Sequence, residues 1–127
     1  MHVGALMPPR PTPYDQAVVD AVLDQLDAGL EPDRASLRPA VRMLAQRLAA
    51  RHPGRSVEVR VPPYAAVQCL EGVRHTRGTP PATVEVEPVA FVQLCTGRLG
   101  WADAVRDGRV RASGERSDLL VLLPIVP

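Results

Sequence analysis

Between Phe91 and Leu123 the chain changes its hydrophobic period twice, in the run FVQLCTGRLGWADAVRDGRVRASGERSDLLVLL. Phe91, Leu94 and Cys95 recur at helical spacing and stop at Gly97, which can take the left-handed conformation that closes a helix. Trp101 to Asp107 makes one or two further turns, closed by Gly108. Arg109 to Ser113 then alternates with period two, the pattern of a half-buried strand, until Gly114 breaks it. Ser117 and Asp118 can cap a last apolar segment, Leu119 to Leu123. The order is therefore helix, Thr-Gly-Arg-Leu turn, short helix, glycine-bounded strand and apolar tail.

The N-terminal half supplies two helices. Residues 1–11 are punctuated by proline and read as a flexible tail, with one domain over 12–127. Thr12 is placed as the N-cap of the first helix, Pro13 at its first position and Asp15 as the capping-box acid. This helix shows Val18, Val22 and Leu26 on one side and ends at Gly29. Pro39 governs the second helix. With Asp33 as N-cap the proline would fall in the second turn and clash with the carbonyl four residues back, at a cost of roughly 3 kcal/mol. With Ser36 as N-cap it lies in the first turn, so Ser36 is preferred. Leu37, Val41, Leu44 and Leu48 form the apolar stripe against Arg38, Arg42, Gln46 and Arg51, and His52-Pro53-Gly54 ends it.

Four segments carry strand character. Ser56 to Val61 shows Val57, Val59 and Val61 on one face, with Glu58 and Arg60 on the other. Ala65 to Leu70 is nearly all apolar and reads as a central or two-sided strand. Thr83 to Glu87 buries Val84 and Val86, and Arg109 to Ser113 buries Val110 and Ala112. One apolar and one polar face points to antiparallel pairing, and helices over the apolar face make the fold α+β. The Glu58/Arg60, Glu85/Glu87 and Arg109/Arg111 alternation reads as a solvated face with cross-strand ion pairs.

Composition excludes several classes of function. At 127 residues the chain suffices for one domain with a real core. Its 15 basic residues against 14 acidic ones give a net charge of +1, which favours neither nucleic acid nor an anionic membrane. All the basic residues are arginine and lysine is absent, a bias that fits GC-rich coding rather than a phosphate-binding surface. Cys69 and Cys95 lie in apolar surroundings and read as buried free thiols. No CxxC, HExxH or His/Cys cluster is present, so neither a metal nor a cofactor is expected. The longest apolar run, Leu119 to Pro127, is too short to span a bilayer. The start, MHVGALMPPRPTP, lacks the layout of a secretory leader, and a cytoplasmic location is the expectation.

One cluster could hold a charged group. His75, Thr76 and Arg77, with Arg74, Gly78 and Thr79, offer an imidazole, two hydroxyls and guanidinium groups to a carboxylate or phosphate. The same residues also read as a polar turn closed by Pro80-Pro81, the reading preferred here. No acid, base or nucleophile is fixed near His75 by spacing, so no catalytic residue is assigned and a non-enzymatic role is expected. The Arg38/Arg42/Arg51 edge reads as a solvated helix face, and Trp101 as core packing or a ligand contact.

The series Thr96-Gly97-Arg98-Leu99, Ala104 and Gly108-Arg109-Val110-Arg111-Ala112-Ser113-Gly114, within Leu94 to Leu123, resembles the C-terminal half of the sterol carrier protein family. The chain as a whole is similar to the small stand-alone sterol-carrier-like proteins of actinobacteria. The loop Glu71 to Pro81 and the short tail after Ser117 depart from the eukaryotic lipid carriers. The resemblance implies a five-stranded, mainly antiparallel sheet with helices packed on one face and a hydrophobic cavity between the layers. It implies a lining from Leu44, Leu48, Val59, Val67, Phe91, Trp101, Leu120 and Leu123. It further implies binding of a fatty acid, acyl-CoA or sterol-like lipid. A module with a filled core that serves a partner protein is the alternative.

Overall fold

A computed structural model of the chain describes residues 13–71, 82–113 and 123–126. Helix α1 (Gln16–Asp27) and helix α2 (Arg34–Arg51) come first, followed by strands β1 (Val57–Val61), β2 (Ala65–Cys69) and β3 (Ala82–Val86). Helices α3 (Pro88–Cys95) and α4 (Trp101–Arg106) follow, then strand β4 (Val110–Ser113).

Both helix starts differ from the sequence expectation. Asp15, not Thr12, is the N-cap of α1, and its carboxylate accepts the Ala17 amide at 3.0 Å; Thr12 lies outside the described residues. Asp33, not Ser36, caps α2, with its carboxylate accepting the Ser36 amide at 2.9 Å. Pro39 is thus inside the helix. The carbonyl it deprives of a partner belongs to Ala35, which is exposed, so water can serve there. The cap is further braced from α1. The Gln25 side chain accepts the Asp33 amide at 3.0 Å and donates to Asp33 Oδ2 at 3.2 Å and to Ser36 Oγ at 3.1 Å. That network outweighs the local cost of the proline.

The described strands form one four-stranded mixed sheet in the order β2-β1-β3-β4, not a five-stranded one, and two of its three pairings are antiparallel. β1 pairs antiparallel with β2, and β3 with β4, but β1 and β3 run parallel with Val59 opposite Val84. After β2 returns along one side of β1, the chain begins β3 on the other side, in the direction of β1. A single polar face reports which side the helices cover, not strand direction, and so it gave no sign of the one parallel pair.

The inward residues are as the alternation predicts. Val57, Val59, Val61, Val84, Val86 and Val110 are buried. Two details differ. Among the described strands, Ala65 to Leu70 holds an edge strand, not a central one, and Ala66 is exposed; small side chains make an apolar run without requiring cover on both faces. Ala112, on the other edge strand, is exposed rather than buried. The ion pairs on the polar face join Arg60 to Glu58 along one strand and Arg109 to Glu87 at 3.2 Å.

The apolar stripe of α2 (Leu37, Val41, Leu44, Leu48) is buried with Phe91, Val92 and Leu94 of α3 in one core. α1 packs on α2, and Arg98 after α3 reaches Asp27 at the end of α1 at 2.7 Å. The C-terminal residues Ile125 and Val126 are also buried, and both their amides donate to the Cys95 carbonyl, at 3.0 and 3.2 Å. A distant segment thereby satisfies a carbonyl at the end of α3 that the helix itself leaves free. Gly54 is held at φ +151°, and a Cβ there would stand 2.0 Å from the carbonyl carbon of Leu70. The close approach brings Leu70 into hydrogen bonds with both Ser56 and His52, joining the end of β2 to the end of α2.

Candidate functional site

Among the described residues, the interior between helices and sheet is a continuous cluster of buried apolar side chains. Leu44, Leu48 and Val59 are wholly buried and Phe91 is 2% exposed. Val67, Trp101 and Leu123 are half-buried against the same core. Leu120, like His75, Thr76 and Arg77, lies outside the described residues.

Open volume occurs elsewhere. A groove of about 470 Å³ runs between the start of α1 and the first half of α2, lined by Pro13, Tyr14, Asp15, Val18, Arg38, Pro39, Arg42 and Met43. None of the seven described residues expected to line a cavity borders it. Its geometry follows from how the two helices are tied. At the turn end, Gln25 clamps Asp33 and Ser36. At the other end the Asp15 amide approaches the Met43 sulfur at 2.9 Å, and the Arg47 guanidinium stands 4.5 Å above the Tyr14 ring centre. Between these ties, Val18 and Met43 form an apolar floor, with the Pro39 ring beside them.

The charges around the groove are uneven. Arg38 and Arg42 are exposed, four residues apart on one helix face, and among the described residues neither forms an ion pair. The Asp15 carboxylate is committed to the Ala17 amide as the α1 cap. Burial raises the Tyr14 phenol above its ordinary value, opposed by the neighbouring Arg47 charge, so the phenol stays neutral and donates to the Gln16 side chain at 2.7 Å. The groove therefore offers apolar surface with two free cations at its rim.

A second, smaller cleft of about 240 Å³ lies at the sheet edge among Pro62, Glu85, Val86, Glu87, Gly108, Arg109 and Arg111. Its charges balance, and Arg109 is already paired with Glu87. Both cysteines are free and buried. Burial pushes each thiol upward, Cys95 most strongly, so neither is a thiolate nucleophile near neutral pH. Among the described residues no group of three His, Cys, Asp or Glu side chains could hold a metal, and no helix is long and apolar enough to cross a membrane.

Sequence reasoning missed the groove because it assigned Arg38 and Arg42 to a solvated face and placed Pro39 in the first turn. The available signal was a proline flanked by two arginines inside an amphipathic helix. The sequence alone could not show that α1 lies beside it.

A search of curated proteins finds no match to the chain. A family model described as bacterial SCP ortholog matches residues 33–125, from the cap of α2 to the buried C-terminal segment. The α1 side of the groove lies before the matched residues. The match spans most of the 127 residues, and the chain belongs to this bacterial SCP family, as its sterol-carrier-like sequence features imply.

Proposed function

We propose that the protein is a non-catalytic binding or carrier domain for a hydrophobic ligand: a fatty acid, an acyl-CoA or a sterol-like lipid. Family membership supports the lipid class, and the observation that carries the reading is the apolar groove of about 470 Å³ between α1 and α2. Its size is within the range of small-molecule sites. Each methylene withdrawn from water would contribute about 0.8 kcal/mol. The ligand leaves unchanged, and the protein works in the cytoplasm.

A specific observation favours a second reading. Leu44, Leu48, Val59 and Phe91 are buried in one apolar cluster between the layers, which supports a filled core there. On that reading the domain is an interaction module serving a partner protein.

Native mass spectrometry of the purified protein separates the two. Retained lipid, displaced by added fatty acid, supports the carrier. A folded protein that retains no lipid and takes up no fatty acid, acyl-CoA or sterol overturns it and favours the module. Turnover of acyl-CoA to free coenzyme A would overturn the non-catalytic assignment.

A further inference from the structure

We propose that the α1–α2 groove selects anionic single-chain amphiphiles, with Arg38 and Arg42 holding a carboxylate or phosphate head and Val18, Met43 and Pro39 contacting the chain. The inference rests on the ligand-binding reading above and adds the location, the polarity of the head group and the residues that recognise it.

Three observations combine. First, Arg38 and Arg42 stand one helical turn apart at the rim of the same groove, a spacing that lets both guanidinium groups converge on one anion. Second, among the described residues neither has an ion-pair partner; Arg34, Arg51, Arg55 and Arg111 share that state, but none of them lines the groove, so Arg38 and Arg42 are the unpaired charges placed beside its apolar surface. Third, the one carboxylate lining the groove, that of Asp15, is engaged by the Ala17 amide and is not offered to either arginine. The site is thus complementary in charge to an anion and complementary in polarity to an alkyl chain. Among the described residues, the apolar interior beneath the sheet-covering helices buries its side chains against one another and holds no arginine, so it offers no charge to an anionic head. A sterol, whose only polar group is a hydroxyl, would leave both guanidinium groups unused.

The groove is open on one side, so it accepts a monomeric amphiphile lying along the helices rather than one wholly enclosed. Asp15 repels an anion placed close to it, which orients the head toward Arg38 and Arg42 and the chain toward Val18.

Laurate and dodecanol, both kept below the concentrations at which they aggregate, share a chain and differ in the head. Methyl-labelled methionine in the full-length protein gives a local reporter, since Met43 is one of only three methionines and lines the groove. Laurate should shift the Met43 methyl resonance and bind at least about tenfold more tightly than dodecanol, the size of one charge-assisted hydrogen bond. The double variant Arg38→Gln/Arg42→Gln should lose that preference while dodecanol binding is unchanged. Both side chains are exposed, so the variant should keep the wild-type circular dichroism spectrum and melting temperature. Equal binding of laurate and dodecanol would overturn the head-group assignment and leave the carrier reading intact. Tight laurate binding that does not move Met43, or that survives the double variant, would place the site elsewhere and overturn the proposal. Binding of neither ligand by the folded protein would overturn the proposal, and the carrier reading would fall with it only if acyl-CoA and sterol also fail to bind.

Discussion

Helix α2 carries two apolar surfaces, and they end in different states. One, made by Leu37, Val41, Leu44 and Leu48, is sealed against the sheet and α3. The other, around Pro39 and Met43, faces α1 across open volume. The difference is one of partners. Toward the sheet, β-branched valines meet leucines and Phe91, and their shapes interdigitate. Toward α1, the contact is held by polar ties at both ends, Gln25 with Asp33 and Ser36, and Tyr14 with Arg47. Between those ties the side chains do not fill the gap. Apolar character alone therefore does not mark a binding site; unfilled volume beside apolar character does.

The sharpest way to break this contrast is Phe91→Ala. If the interior is packed as described, the substitution removes a large side chain that is 2% exposed and leaves a cavity. The expected loss is about 3–5 kcal/mol of unfolding free energy, read by chemical denaturation. A loss below roughly 1 kcal/mol would mean that the interior already contains free space, and the groove would lose its distinction.

Gly54→Ala tests the frame on which that packing depends. The new Cβ would fall 2.0 Å from the Leu70 carbonyl carbon, against backbone rather than a flexible side chain. One of the two chain segments must move, at an expected cost of at least roughly 2 kcal/mol. Denaturation midpoints equal to wild type would show that the β2–α2 junction gives way freely.

Much of the sealed side was legible in the sequence. Val57, Val59, Val61, Val84, Val86 and Val110 alternate, and Leu37, Val41, Leu44 and Leu48 recur at helical spacing; a period translates directly into a buried face. The direction and neighbours of the strands were not legible. The parallel pairing of β1 with β3 depends on where the chain re-enters the sheet after Leu70, which no local pattern encodes. The caps were misjudged for a similar reason. Pro39 argued locally for Ser36, whereas Gln25 on another helix stabilises Asp33. Ile125 and Val126 counted only as part of the apolar run from Leu119 to Pro127 and were given no place in the fold, because they follow Pro124 outside any periodic run, yet their amides close the end of α3. The groove was the least legible of all, since empty volume is a property of two helices together.

Pro39→Ala sharpens the contrast from the open side, with an opposite sign. It restores an amide that can bond the Ala35 carbonyl and removes the ring from the helix interior. The helix gains up to about 3 kcal/mol in propensity. Part of this is offset, because proline also restricts the unfolded chain by about 0.4–1 kcal/mol, and Ala35 is exposed, so water can serve its carbonyl. A net stabilisation of about 1–2 kcal/mol is expected. Laurate should bind less tightly to this variant, since the groove loses an apolar wall. Stabilisation with unchanged laurate affinity would show that Pro39 does not contact the chain.

The smallest expected effect concerns the clamp at the closed end of the groove. The Ser36 amide, then the Ser36 hydroxyl and the Gln25 amide group, hold the Asp33 carboxyl below its ordinary value of 3.8. A carboxyl whose folded value is depressed contributes stability that is fully present above the unfolded value and is lost as pH falls through the folded one. Asp33→Asn keeps an oxygen that can cap the helix but removes the titration. Wild type should therefore melt slightly higher than this variant at neutral pH, and the gap should close only below the ordinary carboxylate range. Because Asp33 is exposed, salt should narrow the gap as well. The same clamp fixes one end of α1 against α2, so laurate affinity in the variant reports on the groove. An affinity that falls together with the melting temperature would mean that the clamp sets the width of the open side. A melting gap that closes on acidification while laurate affinity holds would mean that Tyr14, Arg47 and Met43 set that width from the other end.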